Sequence, residues 1–311
     1  MAALGLQFCG DLLGSGSHAF NSVFMGKGTS RLRSVGPVTQ KMLSSNLIMS
    51  RTKRYSRIWY LNTSNAVMAD SSKRFSALFL LMGKVVRVVL FGSFLLILLS
   101  GKKQLAGYSA DQAIVFYLTF NLIDTLSQLL LRGTYYFRSL VIKGDLDYIL
   151  AHPVNPLFSV LFSHTDILDF IMLWPILFAL VYSFSRFPEI NFLSFLIYFV
   201  LVINGLLLAG AFHIVVLSLA IITYEVDNAL MIYRDLSSLG RVPVDLYREP
   251  VRFLITFILP VGIMITFPVK ALMGLLSPGI IIGSVAASAL FFTLSMLIWN
   301  RALNSYSSAS S

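Results

Sequence analysis

A single cysteine, Cys9, stands in 311 residues, so no disulfide framework and no thiolate metal cluster can be built within one chain. Charge is also scarce: Asp, Glu, Lys and Arg together make up 12% of the residues, and only 14 are acidic. The GxxxxGK[ST] phosphate loop, HExxH, GxSxG and any paired Cys/His ligand set are missing too. No motif is left to carry nucleotide binding, zinc proteolysis or serine hydrolysis. The expectation is a non-enzyme with no catalytic residues, no metal and no cofactor of its own, whose driving energy comes from an ion gradient or a partner.

Apolar surface is what the chain has in excess. With 57% hydrophobic residues and a mean hydropathy of +0.79, it lies far outside the soluble globular range. A spanning helix takes about 20 apolar residues, so about six spans with their connections account for 75–311. The expected fold class is an all-α integral membrane protein: about six transmembrane helices, an N-terminal interfacial helix and a short cytoplasmic coupling helix.

Residues 1–74 hold ten basic side chains against Asp11 and Asp70, most of the net charge of +10. Cytoplasmic flanks of spans collect Lys and Arg, which predicts a multi-pass protein with both termini in the cytoplasm. The high pI is thus a topology signal and not a nucleic-acid footprint. Residues 1–54, rich in Ser and Gly and poor in acids, read as a basic, disordered extension. A cytoplasmic tail, an organellar transit peptide and an upstream extension ahead of a later start at Met49 or Met68 all fit. In 55–74, Tyr55, Trp59 and Tyr60 among Arg54, Arg57, Lys73 and Arg74 have the pattern of a segment at headgroup level.

The first span, about 75–100, carries Lys84 and Arg87 on one helical face, where long basic side chains can snorkel to the interface; the other reading is that they attract an anionic lipid or substrate headgroup. The second, about 111–137, spaces Asn121, Asp124, Gln128 and Arg132 three or four residues apart, which puts most of them on one face. Interhelical hydrogen bonding is one reading of that face. A substrate path or subunit interface formed by Asn121, Asp124 and Gln128 is the other.

Next comes the polar run GDLDYILAHPVNPLF, 144–158. Gly144 can end one helix, Asp145 can cap a short following one, and Pro153 and Pro156 should stop it. A structured, acid-bearing turn between apolar spans points to a docking element. The third span, about 164–185, opens with Asp166 and Asp169, where acids complement the helix dipole. The fourth covers about 192–223. The stretch 224–251 is expected to be cytoplasmic, the fifth span to cover about 252–267 with a kink at Pro260 and Gly262, and 268–279 to form a re-entrant or interfacial hairpin on the external side before the last span, about 280–299.

With these elements in place, the chain resembles the permease subunits of ABC-2-type exporters, in the small six-span branch without a fused ATPase. The residues that carry the resemblance are Gly107 and Tyr108, the run GDLDYILAHPVNPLF, the run LYREPVRFLITFILPVGIMITFPVKALMG and the ending WNRALNSYSSAS, which together cover about 75–311. The resemblance implies a six-span permease domain over 75–311 in a bacterial cytoplasmic (inner) membrane. It implies assembly with a second permease chain, as homodimer or heterodimer, and with a separate ABC ATPase subunit that binds the ATP. Membrane lipids would be neighbours, and nucleic acid would not be a partner. Gly144, Asp145, Asp147, Pro153, Asn155 and Pro156 would form the coupling region received by the ATPase. The alternative from a different class is a gradient-driven secondary carrier without an ATPase, which would depend on Asp124.

Overall fold

A computed structural model of the protein describes residues 51–71, 74–100, 104, 106–187, 190–223 and 226–306. The extension expected over 1–54 therefore lies almost wholly outside the described residues. The chain divides into two units, Met1–Arg57 and Ile58–Ser311, and every long apolar helix belongs to the second. The regular structure is helical among the described residues: α1 (Arg51–Ser71), α2 (Arg74–Ser100), α3 (Ala110–Leu131), α4 (Phe137–Ile142), α5 (Asp145–Ala151), α6 (Pro156–Leu161), α7 (Ile167–Phe184), α8 (Phe192–Thr223), α9 (Val226–Ser238), α10 (Val251–Phe253), α11 (Phe267–Leu272) and α12 (Pro278–Asn304).

Five helical stretches are long and apolar enough to cross a membrane: Phe75–Ser100, Ala110–Ile142, Ile167–Phe184, Phe192–Thr223 and Pro278–Asn304. The outermost is α2, where Phe75, Phe79, Leu90 and Ile97 all stand exposed. A helix with that much open apolar surface needs lipid around it. The innermost is α3, whose start is fixed by a capping box: Gln112 N–H donates to Ser109 Oγ, and Ser109 N–H donates to Gln112 Oε1.

Two apolar cores lie at opposite ends of the bundle. The far-end core gathers Tyr108, Phe116, Ile123, Tyr198, Leu208 and Met264. The near-end core gathers Phe137, Leu146, Val160, Leu217, Leu230 and Trp299. α8 contributes to both, its first half to the far end and its second half to the near end, which fixes the direction of its crossing.

The fifth crossing differs from the expectation. Leu230, early in α9, packs in the near-end core, whereas Asp245, fifteen residues later, accepts a hydrogen bond from Tyr108 Oη at the far end. The segment 226–246, expected as a cytoplasmic stretch, thus runs through the bundle from one end to the other. Conversely, the expected fifth span is no straight crossing: Val251–Ile258 and Gly262–Leu272 are bent by 76°. Arg252 at its beginning and Lys270 near its end both reach the same carboxylate, Asp245, each at 2.7 Å. It enters and leaves at the far end, a re-entrant hairpin with Pro260 at the break. The physical reason is a matter of polarity. A polar crossing is invisible to a hydropathy criterion once α3 and α8 shelter it, and an apolar hairpin satisfies that criterion without spanning.

Candidate functional site

At the near end, the run 144–158 folds as a compact, anchored element. Gly144 has φ 75° and ψ 5°, a left-handed conformation that costs a side-chain-bearing residue about 1–2 kcal/mol. It ends the preceding helical turn and is itself the N-cap of α5, so Asp145 occupies the first turn and is not the cap that the sequence suggests. Asp147 also lies in that turn, where both acids complement the helix dipole. Leu146 is fully buried and moors α5 to the near-end core. The bend at His152 and Pro153 leads to Asn155, whose Oδ1 accepts from Leu157 N–H (2.9 Å) and Phe158 N–H (3.4 Å), with Pro156 at the first position of α6.

α6 is pressed against the 3₁₀ turn Arg132–Tyr136 that follows α3. A Cβ on Gly133 would lie 1.8 Å from the carbonyl oxygen of Val160. The turn and α6 therefore move together. Outward, the element shows Tyr148 and Leu150, with His152 packed edge-on against Tyr148, centroids 4.2 Å apart.

Inside the bundle, polar side chains follow α3 downward. Asn121 is buried and donates to Tyr117 O (2.7 Å) within its own helix. Gln128 Nε2 donates to Asp124 (3.0 Å), Arg132 Nη1 donates to Gln128 Oε1 (3.4 Å), and Arg87 approaches Asp124 at 4.0 Å. Asp124, Gln128 and Arg132 thus form one ladder, and Asn121 stands apart from it. Asp124 is also in the wall of a cavity of about 220 Å³ shared with Arg87, Phe120, Arg234, Asp235 and Arg241.

Sequence spacing did not join Lys84, Arg132, Asp166 and Asp169, but the fold does. Lys84 Nζ lies 2.6 Å from Asp169 and 3.5 Å from Asp166, and Arg132 lies 3.1 Å from Asp166 and 3.8 Å from Asp169. Lys84, expected to snorkel, turns inward instead. A buried carboxylate pair at the head of α7 is the stronger attractor than the headgroup layer, since a buried charge without a partner is very costly. Asp166 also caps α7 through Leu168 N–H (2.8 Å), and His164 stacks on Tyr136, centroids 4.0 Å apart. Among the described residues no group of three His, Cys, Asp or Glu side chains is placed to hold a metal.

The far end has its own polar centre, which spacing also did not indicate. Asp245 accepts from Tyr108 Oη (2.8 Å) and pairs with Lys270 and Arg252. Burial and the bond to Asp245 push the Tyr108 phenol up, so it stays a donor.

An all-helical bundle with five long apolar helices and buried polar groups at both ends and between them defines a multi-pass membrane protein. Its sequence matches, over residues 85–310, the family described as ABC-2 family transporter protein. That match covers most of the chain, which belongs to this family and serves as a membrane permease in transport. No curated protein and no solved structure matches it.

Proposed function

We propose that this chain is the transmembrane subunit of an ATP-binding cassette exporter, that it is not itself catalytic, and that a separate ATPase subunit docks on the element 144–156. The observation that carries this reading is the combination of firm anchoring and outward apolar display in that element. Leu146 and α6 tie it to the bundle, while Tyr148 and Leu150 remain exposed. A load applied to α5 passes through α6 and Gly133 to the end of α3, and through Arg132 to α2 and α7. ATP-driven closure of the partner would thereby rock three spans at once. In this arrangement Asp145 and Asp147 supply polar contacts to the ATPase and take no part in proton transfer. The near end is cytoplasmic, both termini lie on that side in a bacterial inner membrane, and two permease chains assemble with two ATPase copies.

The test is an affinity purification of the tagged permease in mild detergent with mass spectrometry and an ATPase assay. Recovery of an ATP-binding subunit, lost in Asp145→Ala/Asp147→Ala or on an insertion at Pro153, supports the docking assignment. Unchanged recovery and unchanged substrate-stimulated ATPase in those variants sinks it.

A further inference from the structure

The least expected surface in this protein is a charged one at half depth. Arg87 is thirteen residues into the 26-residue stretch Phe75–Ser100, and Asp124 is near the middle of Ala110–Ile142. Arg234 and Asp235 are midway along the polar crossing 226–246, and Arg241 follows less than two turns later. These five side chains meet in the 220 Å³ cavity, which is open to the outside of the chain. Arg87 is half exposed, with 50% of its side-chain surface accessible, and Arg234 and Asp235 are exposed.

A single arginine facing lipid at the bilayer centre is costly, and such residues almost always face a wet cavity or another protein. This face therefore does not meet hydrocarbon. Its charge is also unbalanced, with three guanidinium groups against two carboxylates. Asp124 approaches Arg87 only at 4.0 Å. Arg241 is held in place by aromatic rings, Phe91 and Phe120, each 5.7 Å from its guanidinium carbon. A guanidinium fixed by ring faces keeps its N–H edge available for an oxyanion.

Resting on the permease reading, we infer that this cavity receives the anionic group of the transported molecule, a phosphate or carboxylate borne on an apolar body. Arg241 and Arg234 are the binding groups. Asp124 and Asp235 limit the empty site's excess to one positive charge, and Arg87 stands on the cavity's edge, 4.0 Å from Asp124. The Phe120 ring in the wall suits an amphiphile better than a small inorganic ion.

The experiment measures binding of radiolabelled dodecyl phosphate to the purified full chain in neutral phosphatidylcholine nanodiscs, with dodecyltrimethylammonium as the cationic counterpart. The expected result is saturable binding of the phosphate, weakened at least tenfold in Arg241→Gln and in Arg234→Gln, largely restored in the Lys variants, and little affected by the cation. Lys variants that retain binding also show that the Gln effects are not failures to fold. Competition by phosphatidylglycerol in the nanodisc assigns the site to a bilayer lipid headgroup. Absence of that competition assigns it to a separate amphiphilic solute, and both uphold anion recognition. Equal binding by the Gln variants, or preference for the cation, overturns the inference. So does loss of a dimer in Arg234→Gln without any anion binding, which would make this face a charged contact between two copies. None of these outcomes needs an ATPase, so failure here leaves the docking proposal standing, and the reverse also holds.

Discussion

Replacing Lys84 by Met should reveal how strongly the charge quartet holds α2, α3 and α7 together. The pair Lys84–Asp169 is 2.6 Å apart, with 24% and 4% of the side chains accessible. At an effective dielectric constant of about 20, the gross attraction at that distance is about 6 kcal/mol. Much of it is cancelled by the desolvation of both ions, yet removing one partner from a buried pair costs about 3–5 kcal/mol, since the other charge stays buried. Here Arg132 lies within 3.8 Å of Asp169 and absorbs part of the loss. The expected destabilisation is therefore about 2–4 kcal/mol, read as a lower unfolding midpoint of the detergent-solubilised protein. The double variant Lys84→Met/Asp169→Leu should recover much of this, because no orphaned charge remains and the volumes are nearly kept. A drop below about 1 kcal/mol in the single variant, or strictly additive losses in the double variant, would refute a clamp and return Lys84 to the headgroup layer.

Ala at Gly133 should push α6 away from the turn that follows α3. With backbone oxygen in the way, the cost should fall at or above the 1–3 kcal/mol typical of overpacking, with weaker recovery of the ATPase partner as the functional readout. Tyr108→Phe removes a 2.8 Å donor from a charged, mostly buried acceptor and should cost about 1.5–3 kcal/mol in thermal unfolding. Asp245→Asn should lower the unfolding midpoint too, because Lys270 and Arg252 then lose the carboxylate they share, and an unchanged midpoint would dismiss the far-end centre as a stabilising contact. Val at Gly144, where φ is 75°, should cost about 1–2 kcal/mol and uncouple ATPase activity from transport before it unfolds the bundle.

Length and apolarity made α2, α3, α7, α8 and α12 legible, because each is a long hydrophobic run with recognisable ends. The turn-rich element at 144–158 was legible in part and for a different reason: Gly144 and Pro153 have conformational preferences that act locally, wherever the rest of the chain goes, whereas Pro156, expected to stop a helix, opens α6 with Asn155 as its cap. The fifth crossing was not legible. Part of its polarity is accommodated because Arg241 lies against Phe91 and Phe120 and Tyr233 packs on Phe212 and His213, contacts that join residues over a hundred positions apart or on separate helices. The same holds for the quartet and for the bond from Tyr108 to Asp245, which spans 137 positions. The spacing of Asp124, Gln128 and Arg132 put them on one face, but did not show that they bond to one another along the chain in place of a neighbouring helix, nor that Asn121, with the same spacing, is satisfied within its own helix.

The crossing at 226–246 has a consequence for how the protein reaches its membrane. A segment this polar carries little of its own signal for lateral release into lipid, since each arginine at mid-depth works against insertion. It can settle only once α3 and α8 are in place to receive it and the hairpin after it can hold Asp245 from the far side. Nascent chains halted before Val251 should leave this segment at the surface, and chains extended past Lys270 should carry it across. Insertion of the last third of this protein is then a folding event, in which the tertiary structure performs what hydrophobicity does for the other spans.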